Sequence, residues 1–199
     1  MGVKYGVMFV GLCGHLSTTA VAGAIAIGKG LCPPTGMISE TEPAAHVKLA
    51  GFNDLVFGGW DIRPCYDPWM VLNELNLMHD DLKRIAREVE AIQSKMFPGI
   101  LLNAGDAIRN IADARHEFET DSLDAAVLRV KNDINRFKLE NSVDKVIVIN
   151  VASTEPPVPD MDDFSSLEKL DSLIRDNRID KIRPGFVYAY AAIDAGCAY

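Results

Sequence analysis

The chain has 199 residues and carries 20 Lys and Arg against 28 Asp and Glu, so its formal net charge is −8. Apolar residues make up 48% of it, enough to form a core and to exclude disorder over most of the length. The acidic balance excludes a nucleic-acid groove, and no apolar run approaches the roughly 20 residues that cross a bilayer. We therefore expect one globular domain that binds neither nucleic acid nor a membrane.

The first half of the chain alternates strand and helix patterns. The apolar run from Lys4 to Val10 ends in glycine, as a buried parallel strand does. The next stretch, LSTTAVAGAIAIGKG, predicts a helix ended by Gly28 and Gly30, and DLVFGGWDI predicts a second strand. Between them, several Pro and Gly residues predict a loop with one short helix at 44–49. Two helices at 68–76 and 80–95 and a short strand, GILLN, complete this half.

The second half contains the clearest patterns. A helix at 122–139 has a continuous apolar stripe, and Asp121 stands where it can cap the first turn. The run DKVIVINVAS predicts a strand that is central and covered on both faces, because its residues are nearly all β-formers. Two further helices are predicted at 164–176 and 184–195. Strands that alternate with helices predict an α/β fold with a doubly wound parallel sheet, Rossmann-like in type.

A glycine turn, VGLCGHLS, joins the first predicted strand to the first helix. Dinucleotide-binding folds need glycines in such a turn so that backbone N–H groups can approach a pyrophosphate. Gly11 fits the first position of G-x-G-x-x-G, whereas Cys13 and Ser17 occupy the second and third, with Gly14 as an additional glycine. From spacing alone, a cofactor turn and an ordinary tight turn remain equally open.

Polar residues also follow the two other clear strands. Asp61 ends the second strand, where a carboxylate typically holds the adenosine ribose, although it lies much further along the chain than the usual gap of about 20 residues. A helix cap or a solvated loop carboxylate is the alternative. Ser153, Thr154 and Glu155 follow the strongest strand, at the sheet edge where ligands collect. Their alternative role is to satisfy backbone groups at the strand end.

The remaining His, Cys, Lys and Arg candidates do not form a recognisable catalytic or metal-binding pattern. His46, His79 and His116 have no metal-ligand spacing, so we expect no metal site. The four cysteines, Cys13, Cys32, Cys65 and Cys197, form no CxxC pair, which is typical of reduced thiols in a cytoplasmic protein. Lys181 and Arg183 precede the last helix, where they could meet an anion or only a helix face.

Four blocks now occur in a distinctive order: VMFVGLCGHLSTT, GGWDI, NRFKLENSVDKVIVINVASTEP and RPGFVYAYAAIDAGCAY. Together they resemble the amino-terminal, NAD-binding region of the inositol-3-phosphate synthase (myo-inositol-1-phosphate synthase) family. The resemblance implies NAD as cofactor and glucose 6-phosphate as substrate. It also implies an isomerase reaction of oxidation, enolisation, aldol cyclisation and reduction, which serves inositol and phospholipid biosynthesis in the cytoplasm. Within the resemblance, cofactor contacts fall on Gly11, Leu12, Cys13, Gly14, His15, Leu16, Ser17, Asp61, Ile62, Ala152, Ser153, Thr154 and Glu155, with Gly99 and Ile100 near a further contact.

Two departures from the family pattern carry expectations of their own. Cys13 replaces a glycine and His15-Leu16-Ser17 replaces Asn-Asn-Gly, so the Cβ of Cys13 is expected to crowd the pyrophosphate and weaken NAD binding. The family's catalytic lysines and tetramer-forming sheet lie in a further segment, so residues 1–199 are expected to form a single cofactor domain. A homo-oligomer is implied for the whole enzyme. The alternative is a non-catalytic dinucleotide-binding or assembly module.

Overall fold

The computed structural model describes residues 2–63, 67–74, 80–113, 117–118 and 120–199. Within them, five parallel strands form one sheet in the order β4-β3-β2-β1-β5. Their bounds are Tyr5–Val10 (β1), Leu55–Asp61 (β2), Met96–Ile100 (β3), Glu117–Phe118 (β4) and Lys145–Asn150 (β5). The chain winds outward from β1 through β4 and then returns to β5 on the other side of β1. The carboxyl ends of β1 and β5 therefore form the switch point of the sheet, where ligands bind in such folds.

Helices cover both faces of this sheet. The α-helices are His15–Gly28 (α1), Pro68–Glu74 (α2), Ala86–Glu90 (α3), Asp106–Arg109 (α4), Leu123–Asn141 (α5), Leu167–Arg175 (α6) and Pro184–Asp194 (α7). Short 3-10 helices occur at Ile38–Glu40, Glu42–Ala44, Phe52–Asp54, Asp80–Ile85, Ala91–Lys95 and Met161–Phe164. One buried cluster joins α5 and α7 to the sheet and another joins α1 to it, so the predicted doubly wound architecture is confirmed. None of the helices in the described ranges is long and apolar enough to cross a membrane.

The aromatic ring of Phe137 holds α5 close to the sheet. Phe137 is completely buried, and a Cβ placed on Gly6 or on Gly58 would come within 2.6 Å of its ring. Gly6 lies in β1 and Gly58 in β2, so the two glycines leave the bare backbone on which the ring packs. Close packing of this kind is sensitive to the volume of a single methyl group.

The prediction that the β5 sequence forms a central strand covered on both faces is wrong. β5 ends the strand order, and its outer edge carries one parallel bridge, between Ile147 and Ala198. Val146 and Val148 are buried, whereas Ile147 and Ile149 are 36% and 38% exposed. The β-branched run fixes the strand conformation, but it does not determine how many neighbours the strand has.

Several predicted boundaries also change. The single helix expected at 80–95 divides into two 3-10 helices around α3, and the expected strand GILLN shifts to Met96–Ile100. The short helix expected at 44–49 is absent, since the 3-10 helices nearby end at Ala44 and begin at Phe52. α5 is capped by Ser122, whose hydroxyl accepts from the N–H of Ala125, and not by Asp121. The predicted positions of α1, β2, α5 and α7 are confirmed to within two residues.

Candidate functional site

A cavity of about 380 Å³ lies at the switch point of the sheet. It is bounded by the residues that follow β1, β2 and β5, so the strand ends meet as the parallel topology requires. Most of the residues singled out from the sequence line it, namely Gly11, Gly14, His15, Leu16, Asp61, Ile62, Gly99, Ile100, Ala152, Ser153 and Glu155. Four of the predicted cofactor contacts do not line it: Leu12, Cys13, Ser17 and Thr154.

The glycine turn presents bare backbone to this cavity. Gly11 has φ +89°, a conformation that favours glycine, and a Cβ there would lie 3.0 Å from the Cα of Ala152. The N–H groups of Gly11 and Leu12 donate to the carbonyl of Trp60 at 2.9 and 3.0 Å. The turn is therefore fixed to the end of β2, and no side chain separates it from the loop that follows β5.

Ser17 stabilises the same turn from its buried side. Its hydroxyl lies 2.7 Å from the carbonyl oxygen of Gly11, 2.8 Å from that of Leu12 and 3.0 Å from that of Gly14. A hydroxyl donates one proton at a time, so these carbonyls share it. Ser17 is completely buried, which explains why it does not line the cavity. Its role in the structure is to hold the turn, a role that the third glycine of the usual motif does not have.

Cys13 points away from the cavity. Its side chain is buried in the cluster beneath α1, and its Sγ lies 3.6 Å from the Sδ of Met96. The backbone N–H of Cys13 donates to Oδ2 of Asp61 at 2.7 Å. The expected crowding of a pyrophosphate by Cys13 therefore has no steric basis here, because the side chain occupies the core.

The amino terminus of α1 faces the same cavity. Gly14 is the N-cap residue and no side chain caps the helix, while the first helical bond runs from the N–H of Thr18 to the carbonyl of Gly14. The backbone N–H groups of His15, Leu16 and Ser17 therefore have no acceptor within the helix. Such groups bind phosphate well, since the helix dipole adds a partial positive charge. The His15 ring turns outward, with Nε2 3.2 Å from Oε2 of Glu74.

Asp61 is a buried carboxylate at the end of β2, with only 6% of the residue exposed. Besides the bond from Cys13, its Oδ1 accepts the backbone N–H of Arg63 at 3.0 Å, and the Nε of Arg63 lies 3.4 Å away. Asp61 thus joins the glycine turn to the chain after β2. The sequence gives no sign of this bond, because it spans 48 positions.

Glu155 and Tyr188 connect the opposite wall of the cavity to α7. Oε1 of Glu155 accepts the N–H of Gly185 at 2.8 Å, near the amino terminus of α7, and burial raises the pKa of Glu155 above its usual range. Tyr188 is completely buried, which raises its pKa, and its hydroxyl accepts the N–H of Ile100 at 2.9 Å. These contacts fix the loop after β5 and the end of β3 against one helix.

Sequence reasoning missed several lining residues, including Arg63, Tyr188, Ala104, Ile108 and Ile111. Arg63 lies two positions after Asp61, so the strand end itself was the available signal. The two cations that the sequence did single out do not line the cavity. Arg183 is buried and donates to the carbonyls of Pro156 and Pro157, and Lys181 pairs with Asp163 at 2.7 Å.

No metal-binding group of three or more side chains occurs among the residues that the structure describes. His46 is exposed in the loop between α1 and β2. His79, His116 and Cys65 lie outside the described residues.

A parallel sheet with a glycine turn and a cavity at its switch point defines the dinucleotide-binding class of α/β domains. The chain belongs to the inositol-3-phosphate synthase family, because the family model described as myo-inositol-1-phosphate synthase matches residues 38–199. The matched domain is the NAD-binding domain of that family, so the expectation of NAD is confirmed at the level of the family.

Individual relatives extend the match across the glycine turn. Inositol-3-phosphate synthase 1 of Bacteroides thetaiotaomicron is 34% identical over 96% of this chain and 46% of its own length. The synthase of Dictyostelium discoideum is 28% identical over 98% of this chain and 43% of its own length. The solved inositol-3-phosphate synthase of Caenorhabditis elegans matches with a TM-score of 0.75 at 21% identity, covering 99% of this chain and 43% of the other, which supports the fold. The chain thus spans less than half the length of these relatives.

Proposed function

We propose that residues 1–199 bind NAD at the switch point and form the cofactor-binding unit of an inositol-3-phosphate synthase. The observation that carries this proposal is the bare turn from Gly11 to Gly14, which opens on the cavity beside the unpaired N–H groups of α1. Those groups suit the pyrophosphate of a dinucleotide. The residues present therefore fit NAD, although Cys13 and Ser17 replace two glycines of the usual motif.

The roles of the lining residues follow from their contacts. The N–H groups of His15 and Leu16 receive the pyrophosphate, and Gly11 and Gly14 allow it to approach the backbone. Asp61 holds the turn in place through the N–H of Cys13. When bound, NAD supplies the hydride acceptor, while the protein orients it and excludes water.

The proposed reaction of the whole enzyme is the conversion of glucose 6-phosphate to inositol phosphate. We expect the 199-residue chain to bind NAD without carrying out that conversion. The cavity-lining residues described by the structure include no lysine that could stabilise an oxyanion or hold a sugar phosphate. A cytoplasmic location and a homo-oligomeric enzyme are further parts of the proposal, and both rest on the family resemblance.

Calorimetric titration of the purified chain with NAD tests the proposal. Ser153 is exposed and lines the cavity, so Ser153→Trp fills the site without disturbing the core. It should raise the Kd for NAD by at least about tenfold. The control is Leu139→Trp, which adds the same ring at an 81% exposed position on α5 and should leave the Kd unchanged. Absence of binding at millimolar NAD would overturn the proposal. Inositol phosphate made by this chain alone would contradict the expectation that it binds NAD without converting glucose 6-phosphate.

A further inference from the structure

Arg63 brings a positive charge into the cavity at the end of β2. Its side chain is 35% exposed, lies beside Asp61 and lines the cavity. Among the lining residues described by the structure, Arg63 is the one Lys or Arg side chain. Its Nε faces Oδ1 of Asp61 at 3.4 Å, and among the residues that the structure describes no acceptor pairs with the two terminal nitrogens of the guanidinium.

Asp61 is poorly placed to act as the usual ribose ligand. In NAD-binding folds the carboxylate after the second strand accepts a hydrogen bond from the 2′-hydroxyl of the adenosine ribose. Here Oδ2 accepts the N–H of Cys13 at 2.7 Å and Oδ1 accepts that of Arg63 at 3.0 Å, so one lone pair on each oxygen holds the protein's own backbone. Asp61 lines the cavity, but only 4% of its side chain is exposed, so a ribose hydroxyl could reach only a small part of the carboxylate.

The charge balance at this position also differs from that of an NAD-selective site. A lone carboxylate there would repel a phosphate on the 2′ position, whereas a nearby arginine accommodates one. Arg63 neutralises Asp61, and its side chain is 35% exposed to solvent against 4% for that of Asp61. An arginine guanidinium can also bind a phosphate through two parallel hydrogen bonds.

We propose that Arg63 is a specificity-determining residue that allows the cavity to accept a dinucleotide whose adenosine ribose carries a 2′-phosphate. The expected ligand class is therefore NADP as well as NAD. This inference rests on the proposed function, because it requires that a dinucleotide occupies the cavity with its adenosine ribose near the end of β2.

The experiment is a calorimetric titration of the wild-type chain and its variants with NAD and with NADP. Wild type should bind NADP with a Kd no more than about threefold above that for NAD. Arg63→Ala should weaken NADP binding by about 10- to 100-fold and change NAD binding by less than about threefold. The wild-type Kd for NADP should also rise more steeply with salt than the Kd for NAD, and Arg63→Ala should remove that difference.

Two further variants keep the result interpretable. Arg63→Lys retains the charge without the planar fork, so its loss of NADP affinity should be intermediate. Arg175→Ala removes an arginine that is 72% exposed on α6 and is not among the lining residues, so it should alter neither Kd. Thermal unfolding of Arg63→Ala and Arg63→Lys shows whether each is folded before titration.

Each possible outcome has a defined meaning. A wild-type preference for NAD of more than about tenfold, or equal weakening of both ligands by Arg63→Ala, would overturn the role of Arg63 while leaving NAD binding intact. Failure of the folded wild type to bind either dinucleotide would overturn the proposed function and this inference with it.

Discussion

The two faces of the sheet are covered to different extents at β5. On the face that packs against α5 and α7, which we name the α5 face, Val146 and Val148 are 4% and 1% exposed. On the opposite face, the α1 face, Ile147 and Ile149 are 36% and 38% exposed, although the neighbouring β1 residues on that face are buried. One strand of nearly uniform apolar composition therefore has one buried face and one face that is partly exposed to solvent. Apolar character alone does not report burial, since a strand residue needs a neighbouring helix to cover it.

The largest expected effect concerns the α5 face. Phe137→Ala removes a completely buried ring that packs on Gly6 and Gly58, and should lower the free energy of unfolding by about 3–5 kcal/mol. Leu128→Ala, at a 58% exposed position of the same helix, should lower it by less than about 0.5 kcal/mol. Denaturant unfolding of both variants measures the difference. Similar losses would show that α5 does not pack as described.

A matched pair on β5 tests the contrast between the two faces directly. Val148→Thr places a hydroxyl in the buried α5 face and should cost about 1–3 kcal/mol of unfolding free energy. Ile149→Thr keeps a β-branched side chain on the exposed α1 face and should cost less than about 0.5 kcal/mol. The same denaturant experiment compares them. If both variants lost equal stability, the α1 face of β5 would be covered in solution.

A smaller effect on stability is expected from a buried carboxylate on α5, the helix that covers the α5 face. Asp133 is 4% exposed, and burial raises its pKa even though Trp60 Nε1 donates to Oδ2 at 3.0 Å and Arg129 pairs with it. The folded state therefore holds the proton more tightly than the unfolded chain. The stability that Asp133 contributes through this tighter proton binding is complete below the ordinary aspartate pKa. It is lost as the pH rises through the raised pKa.

Asp133→Asn removes this titration and keeps an oxygen acceptor for Trp60. We expect its unfolding free energy to depend less on pH than that of wild type between about pH 4 and pH 7, by less than about 1 kcal/mol in total. Denaturant unfolding at several pH values measures the slope. Identical slopes in the two proteins would contradict the raised pKa.

The sequence predicted the elements that depend on local periodicity. The run from Lys4 to the glycine turn is apolar throughout, as in a strand that is buried on both faces. The apolar stripe of α5 reports one buried face, so the positions of both elements follow from the local pattern of residues. The site was predictable for a related reason, because the carboxyl ends of parallel strands meet at one edge. Gly11, Asp61 and Ser153 come together at the cavity although they are distant in sequence.

The remaining features depend on contacts that spacing does not encode. The edge position of β5 is set by the order of strands, which a β-branched run cannot report. The inward direction of Cys13 and its bond to Asp61 require the exact path of two separate turns. The contact between Tyr188 and Ile100 joins residues 88 positions apart, and no short motif marks it.

The packing of Phe137 on the two strand glycines has a consequence for how related sequences can change. Gly6, Gly58 and Phe137 share one fixed volume, because a methyl group on either glycine would come within 2.6 Å of the ring. A larger side chain at one of the three positions therefore requires a smaller side chain at another. A relative with alanine at either glycine position is expected to carry a smaller side chain opposite it, so the three positions should vary together through evolution.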